Sequence, residues 1–277
     1  MAASEALALQ PLHSADAPGG LALSAAAGWN QTSDDWGLFI THGHGVGCRD
    51  DDGRLVATAA ALPYDGGFGW ISMVLVDPAW RHRGLATALM QRCAQALRES
   101  GHVPVLDATP AGAEVYRRIG FNAGFALDRW EGEGGGTPLA LPAADAQAIV
   151  QLDRQATGLG RAFVLQDFLR RDGSAAWLTD EADGFLVARR GHRAWQLGPL
   201  VASDEPSALA LLQRALAALA GRVFLDVPRR WSRLTAWLSA HGFTPQRGFV
   251  RMALCRDGRD GPEVPERVFV LAGPEFG

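Results

Sequence analysis

The chain has no lysine: all 26 of its basic residues are arginine. No lysine side chain is therefore available to form a Schiff base. Cysteine is scarce as well. Cys48, Cys93 and Cys255 stand far apart, with neither a Cys-x-x-Cys nor a zinc spacing, which points to a reducing compartment. No run of about 18 apolar residues occurs, so no membrane span is expected. The N-terminal segment lacks the basic start of a secretory signal, and the expected location is cytoplasmic. G-x-G-x-x-G and Gly-Lys-Ser/Thr are both missing, which argues against the two common nucleotide-binding motifs. A net charge of −4 argues against a general nucleic-acid surface. What remains is globular in character: 277 residues, 48% hydrophobic and 20% charged, room for one large or two ordinary domains.

The most informative stretch is 69–89, GWISMVLVDPAWRHRGLATAL. It reads as a strand over 70–76, a break at Pro78, then the loop Arg81-His82-Arg83-Gly84-Leu85-Ala86 opening a helix. Leu85, Ala88, Leu89, Cys93 and Leu97 fall on one face of a helix over 85–99. A helix start presents unpaired N–H groups and the positive end of the helix dipole, and a glycine lets a ligand come close. Arg81 and Arg83 add fixed positive charge suited to phosphate. The local chemistry is that of a phosphate or pyrophosphate site where a strand meets a helix. An ordinary strand-to-helix turn would account for Gly84 but not for two arginines.

The pattern Val-Asp-Pro-x-x-Arg-x-x-Gly-x-Ala after an apolar strand resembles the acetyl-CoA loop of the GNAT N-acetyltransferases. Their Gln/Arg-x-x-Gly-x-Gly/Ala signature is met by Arg81, Gly84 and Ala86. A second segment, 103–121, VPVLDATPAGAEVYRRIGF, is similar to the family too: a strand, a Pro turn, a helix closed by Gly120, and Tyr116 placed three residues before Gly-Phe. The resemblance implies an α/β (α+β) fold, a mixed and mostly antiparallel twisted sheet flanked by helices. It implies acetyl-CoA as cosubstrate, no metal, and direct attack of an amine on the thioester. By that resemblance Val74, Leu75 and Val76 present backbone groups to the pantetheine arm, and an N–H of Val74 or Leu75 polarises the acetyl carbonyl. The amides of His82, Arg83, Gly84, Leu85, Ala86 and Thr87 hold the pyrophosphate, with Arg81 beside them. Thr109 stands where many relatives carry an Asn against the CoA arm; it keeps a hydroxyl but not the amide. Tyr116 falls on the tyrosine that protonates the leaving thiolate, or is a packing aromatic at the pocket edge.

Amine attack needs a base or a water chain. Asp107 ends a strand beside the expected cleft and is the first candidate. Its counterpart Asp226 in the second half argues for a structural turn-capping role instead. Glu114 faces away from Tyr116 on a helix. His42 and His44, in THGHGVG, have no further ligands grouped with them and read as solvated loop histidines.

The rest of the first half reads as a helix ending at 22–27, a second helix near Trp36 capped by Asp34 or Asp35, strands at 54–62 and 69–76 joined by a loop at 63–67, a helix at 111–119 and a strand at 121–130. EGEGGGTP at 131–138 reads as a linker dividing domains 1–133 and 138–277. The second part repeats the first in outline: strands at 184–189 and 194–201, a helix at 208–219, a strand at 223–227 and a helix closing at Gly242-Phe243. Leu106-Asp107-Ala108-Thr109-Pro110 recurs as Leu225-Asp226-Val227-Pro228. The expectation is two GNAT-like domains in tandem. The second lacks the loop chemistry: Asp204 and Glu205 stand in place of the arginines, and Leu238 in place of Tyr116. The phrases GPLVASDEPSA, LDVP and GFVRMAL resemble bacterial tandem GNAT proteins whose C-terminal half has diverged.

Trp29, Asn30, Asp35 and Trp36 are the candidate acceptor-binding residues, since rings and carboxylates suit a cationic amine; equally, the tryptophans are core and the aspartates are caps. Arg229, Arg230 and Trp231 either face the cleft and select an acidic group on the acceptor, or begin a solvated helix. The expected function is acetyl-CoA-dependent acetylation of a small-molecule amine, with no nucleic-acid or membrane partner and a homodimer left open. The alternative is a non-catalytic acyl-CoA-binding sensor or scaffold, which would need the loop but neither Tyr116 nor a base.

Overall fold

The computed structural model describes residues 8–136, 142, 144–255 and 264–277. The first half runs β1 (Gln10–Pro11), α1 (Ala17–Ala26), α2 (Ser33–His42), β2 (His44–Arg49), β3 (Leu55–Tyr64), β4 (Phe68–Val76), α3 (Leu85–Glu99), β5 (Val103–Ala108), α4 (Pro110–Arg118) and β6 (Asn122–Gly135). The second runs α5 (Ala146–Thr157), α6 (Ala162–Arg170), β7 (Ala175–Leu178), β8 (Phe185–Arg190), β9 (Trp195–Val201), α7 (Glu205–Ala218), β10 (Ala220–Pro228), α8 (Ser232–Ala240), β11 (Thr244–Ala253) and β12 (Val268–Val270).

All twelve strands form one sheet, in the order β1-β2-β3-β4-β5-β11-β6-β10-β9-β8-β7, with β12 beside β9. Only β4 with β5, and β9 with β10, are parallel; the other pairs are antiparallel. The halves exchange strands. β11, from the second half, lies between β5 and β6, and β6 pairs with β10 along nine residues. Each half thus closes the other's sheet, and a pseudo-twofold relation runs between β6 and β11.

Apolar spacing on α3 explains its seat. Leu85, Leu89, Met90, Cys93, Ala94 and Leu97 are buried against β3 and β4. Gly69 on β4 permits the approach, because a side chain there would run into Leu97. Cys93 is core, as its helical position suggests, and burial pushes its thiol up to about 12.

Several local expectations change. α2 is capped by Thr32 rather than Asp34: Thr32 Oγ1 accepts from Asp35 N, and the Asp35 carboxylate accepts from Thr32 N at 2.8 Å. Pro63 and Tyr64 belong to β3, not to a loop. Of the supposed linker, residues 131–135 continue β6, because Glu131–Gly135 are register partners of Phe224–Ala220; 137 and 138 lie outside the described residues. α5, α6, β7, β11 and β12 had no counterpart in the sequence reading.

Candidate active site

β4 and β5 are register partners only over Phe68–Trp70 and Val103–Val105. Beyond that point they separate, and β4 from Ile71 to Val76 faces β5 from Leu106 to Ala108 across a wedge-shaped opening. At its apex β4 carries a bulge. Its register with β3 jumps from Ser72–Ala60 to Leu75–Thr58, so Met73 and Val74 together oppose Ala59. Met73 sits at φ 55°, rare for a residue with a side chain, and Thr58 Oγ1 donates to its carbonyl at 2.9 Å.

The loop after β4 is built by its own side chains. Asp77 caps a short 3₁₀ turn through Ala79 N at 2.9 Å and accepts from Arg54 at 3.0 Å. Arg81 Nε donates to the Val76 carbonyl at 3.2 Å, and the Arg83 guanidinium lies 4.5 Å from the Trp80 ring centre. Arg81, His82, Arg83 and Gly84 are all exposed. His82 (φ 62°) and Gly84 (φ 78°) are left-handed, and Gly84 is the N-cap of α3 with no side-chain cap. The first-turn N–H groups of α3 therefore have no intrahelical partner. A surface groove runs from this loop along Val74, Leu75 and Val76, bounded by Trp29, Leu85, Ala86 and Thr87.

Trp29 and Val74 also line a second cavity of about 140 Å³, so groove and cavity share a wall. Tyr116, Thr109, Asp107 and Ser72 border the cavity from the first half, and Arg129, Arg247, Phe249 and Glu275 border it from β6, β11 and the segment after β12. Burial pushes the Tyr116 phenol up to about 12. Its ring lies 6.1 Å from that of Phe121. Thr109 serves as N-cap of α4, accepting from Gly112 N at 3.3 Å. Asp107 meets Arg251 through two bonds of 2.9 and 2.8 Å. Burial raises its carboxyl and Arg251 opposes that shift; the net direction is upward. Glu275 accepts from Arg189 Nη2 at 3.1 Å, and burial raises its carboxyl too, against the pull of Arg189 and Arg129.

The sequence-predicted groups are brought together in part. Val74–Val76 and the loop residues other than Arg83 border the groove, while Thr109, Tyr116 and Asp107 border the adjoining cavity, with Val74 common to both; the Arg83 guanidinium lies over the Trp80 ring instead. Of the acceptor candidates, Trp29 lines it. Asn30 instead clamps the β8–β9 turn, accepting from Arg193 N and Ala194 N at 2.9 and 3.0 Å. Asp35 is held by Arg171 at 2.7 Å, and Trp36 is fully buried with Nε1 on Ser24. Arg229 is exposed and bonded to Asp128 by two 2.8 Å contacts, Arg230 donates to the Val264 carbonyl, and Trp231 to that of Val268. None of the three borders the cavity. His42 stacks on Phe163. No cluster of three or more His, Cys, Asp or Glu able to hold a metal occurs among the described residues, and none of their helices is long and apolar enough to cross a membrane. Gln31, Ser72, Arg129, Arg247 and Glu275 were missed, since nothing local in their segments distinguishes them.

The second half departs as its sequence suggests. Asp204 caps α7 by accepting from Ser207 N at 2.8 Å, and Glu205 accepts from Leu234 N at 2.8 Å. Asp204 thus fills at α7 the helix start that α3 leaves open, while the Glu205 carboxylate reaches across to the first turn of α8. Leu238 is core.

This wedge-and-loop arrangement on a single strand-exchanged sheet defines an acyltransferase class. The description "Acetyltransferase (GNAT) family" matches residues 15–121, and "Acetyltransferase (GNAT) domain" matches residues 149–269. The chain belongs to the GNAT family, with two such domains in tandem. It is 24% identical over 185 residues to the holothin acyltransferase of Pseudoalteromonas sp. (strain SANK 73390), a match spanning 62% of each protein. Among solved structures, a putative acetyltransferase from Pyrococcus horikoshii superposes with a TM-score of 0.79 at 19% identity, over 100% of this chain and 98% of that one. A tandem GNAT protein from the clavulanic acid biosynthesis pathway gives 0.62 at 17% identity, over 90% and 98%. These structural likenesses establish the fold.

Proposed function

We propose that this chain is an acetyl-CoA-dependent N-acetyltransferase acting on a small-molecule amine, with its chemistry in the first domain (1–133) and its acceptor pocket completed by the second (138–277). The single observation carrying this reading is that the loop groove and the Tyr116 cavity adjoin, with Trp29 and Val74 lining both. The open N-terminus of α3, beside Arg81 and Arg83, fits a diphosphate. Val74, Leu75 and Val76 fit an extended pantetheine arm along β4. Acetyl-CoA supplies the thioester: the amine nitrogen bonds to the carbonyl carbon, the C–S bond breaks, the sulfur leaves as thiolate and takes a proton, and the nitrogen gives one up.

Tyr116 is the group that returns the proton to sulfur. Raised to about 12, its phenol stays protonated at neutral pH. For the base, Asp107 is the poorer of two choices, because Arg251 occupies both its oxygens. Glu275 carries one bond from Arg189, and burial moves it toward the neutral range where a base works best. The expected setting is the cytoplasm, without nucleic acid or membrane; a homodimer is compatible with the reading.

Thiol release from acetyl-CoA across an amine panel tests it. Turnover that collapses in Tyr116→Phe supports catalysis. Cofactor binding without turnover of any amine, and indifference to Tyr116→Phe, would favour the binding-module alternative.

A further inference from the structure

The charged groups bordering the acceptor cavity have counter-charges within the protein, with one exception. Asp107 has Arg251, Arg129 has Asp226, and Glu275 has Arg189. Arg247 has none. Among the described residues no carboxylate lies within ion-pairing distance of it and no hydrogen bond engages its guanidinium, which lies 5.8 Å from the Phe249 ring centre. Its placement is built into the sheet. A register shift between Pro245 and Arg247 inserts Gln246, and Arg247 then comes opposite Arg129 on β6. Two guanidiniums thus border one cavity, and Asp226 neutralises one of them. Half-buried beside a like charge, Arg247 is held below its ordinary value, chiefly by desolvation and then by Arg129, while Asp226, already bonded to Arg129, pulls the other way from a distance. Such a group gains from an external anion.

A second, independent observation concerns the same cavity. Gln31 is 5% exposed and lines it, yet its Oε1 has no hydrogen-bond partner. An amide oxygen accepts only, so what it lacks is an N–H or O–H. Ser72 Oγ, also lining the cavity, is likewise buried without a partner. Buried polar groups without partners are uncommon and costly unless a ligand satisfies them.

We infer that the acceptor is an amine that also bears an acid group, the acid pairing with Arg247 and a donor of the acceptor satisfying Gln31 Oε1. This rests on the acyl-transfer reading above. The amino-acid class fits: a fixed cation for the carboxylate, and Glu275 and Gln31 on the same cavity for the nitrogen. The role expected of Arg229 and Arg230 falls to Arg247, because both of those are engaged elsewhere.

Thiol release by the full chain, with a panel of amino acids each set against its own carboxamide, tests the inference. The amide has the same amine without the acid, and its nitrogen is more easily deprotonated, so any bias runs against the inference. Acid members should be favoured by about tenfold or more in kcat/KM. Arg247→Ala should raise KM for them and erase the preference, with Arg247→Lys recovering part of it and the KM for acetyl-CoA unchanged in both. Equal use of acid and amide, no turnover of any acid member by a protein that binds acetyl-CoA, or a preference that survives Arg247→Ala would overturn the inference. Failure of the unaltered protein to bind acetyl-CoA would instead sink the reading beneath it.

Discussion

Arg251 and Asp107 are register partners on β11 and β5, joined by two bonds of 2.9 and 2.8 Å, and the side chain of Asp107 is fully buried. Arg129 and Asp226 repeat the relation on β6 and β10, at 2.9 and 2.8 Å. In each pair the aspartate comes from one half and the arginine from the strand that half receives. The recurring Leu-Asp phrase therefore marks the joint between halves, and the wall of the cleft depends on both.

Removing one partner leaves a buried charge unpaired. Arg251→Ala should lower stability by about 3–5 kcal/mol in urea denaturation followed by tryptophan fluorescence. Replacing the pair by apolar residues, Arg251→Met with Asp107→Leu, should recover most of that loss. A single variant within about 0.5 kcal/mol of the unaltered protein would contradict this role.

Tyr116→Phe keeps the ring against Phe121 and removes the proton. It should reduce kcat by about 100-fold or more while leaving the Kd for acetyl-CoA unchanged. A weakened Kd with intact kcat would make Tyr116 a packing aromatic after all.

The direction of the Glu275 shift sets a pH dependence. Burial raises its carboxyl, so at the acid end Glu275 holds a proton and cannot accept one from the amine. Activity should rise with pH through an inflection above the ordinary carboxylate range. Glu275→Gln should lower the rate and remove that inflection from the kcat/KM profile; a profile that keeps it assigns the base elsewhere.

Gly69→Ala tests the seat of α3. The added methyl meets Leu97, and the cost should be about 1–3 kcal/mol, read as a lower midpoint in the same urea titration. No change would mean that α3 can shift without strain.

The first half was legible because its signals are local. Strand, loop and helix follow one another in 69–99, and Gly84 is needed where φ is 78°. The strand exchange was not legible. Residues 131–135 of β6 are glycine and glutamate and read as linker, and β11, with its proline, glycine and arginines, was assigned no element; the strand character of both comes from partners about a hundred residues away, as with Phe224 opposite Glu131. α5 and α6 fell in a stretch the repeat did not cover. The site divided in the same way. Asn30, Asp35 and Trp36 had the right chemistry but are used within the protein, whereas Arg247 and Glu275 reach the cavity only through the exchanged sheet and the final segment.

The central claim is that the α3 start grips the diphosphate of acetyl-CoA. Titration calorimetry of acetyl-CoA into the unaltered protein and into Gly84→Glu tests it most directly. A Cβ at 84 meets no atom within 4 Å, so the main effects of the change are charge and about 1–2 kcal/mol of left-handed strain. The account predicts clear binding heat for the unaltered protein and at least about tenfold weaker binding for a variant with the same circular dichroism. No heat with the unaltered protein, or equal affinity in both, would contradict it.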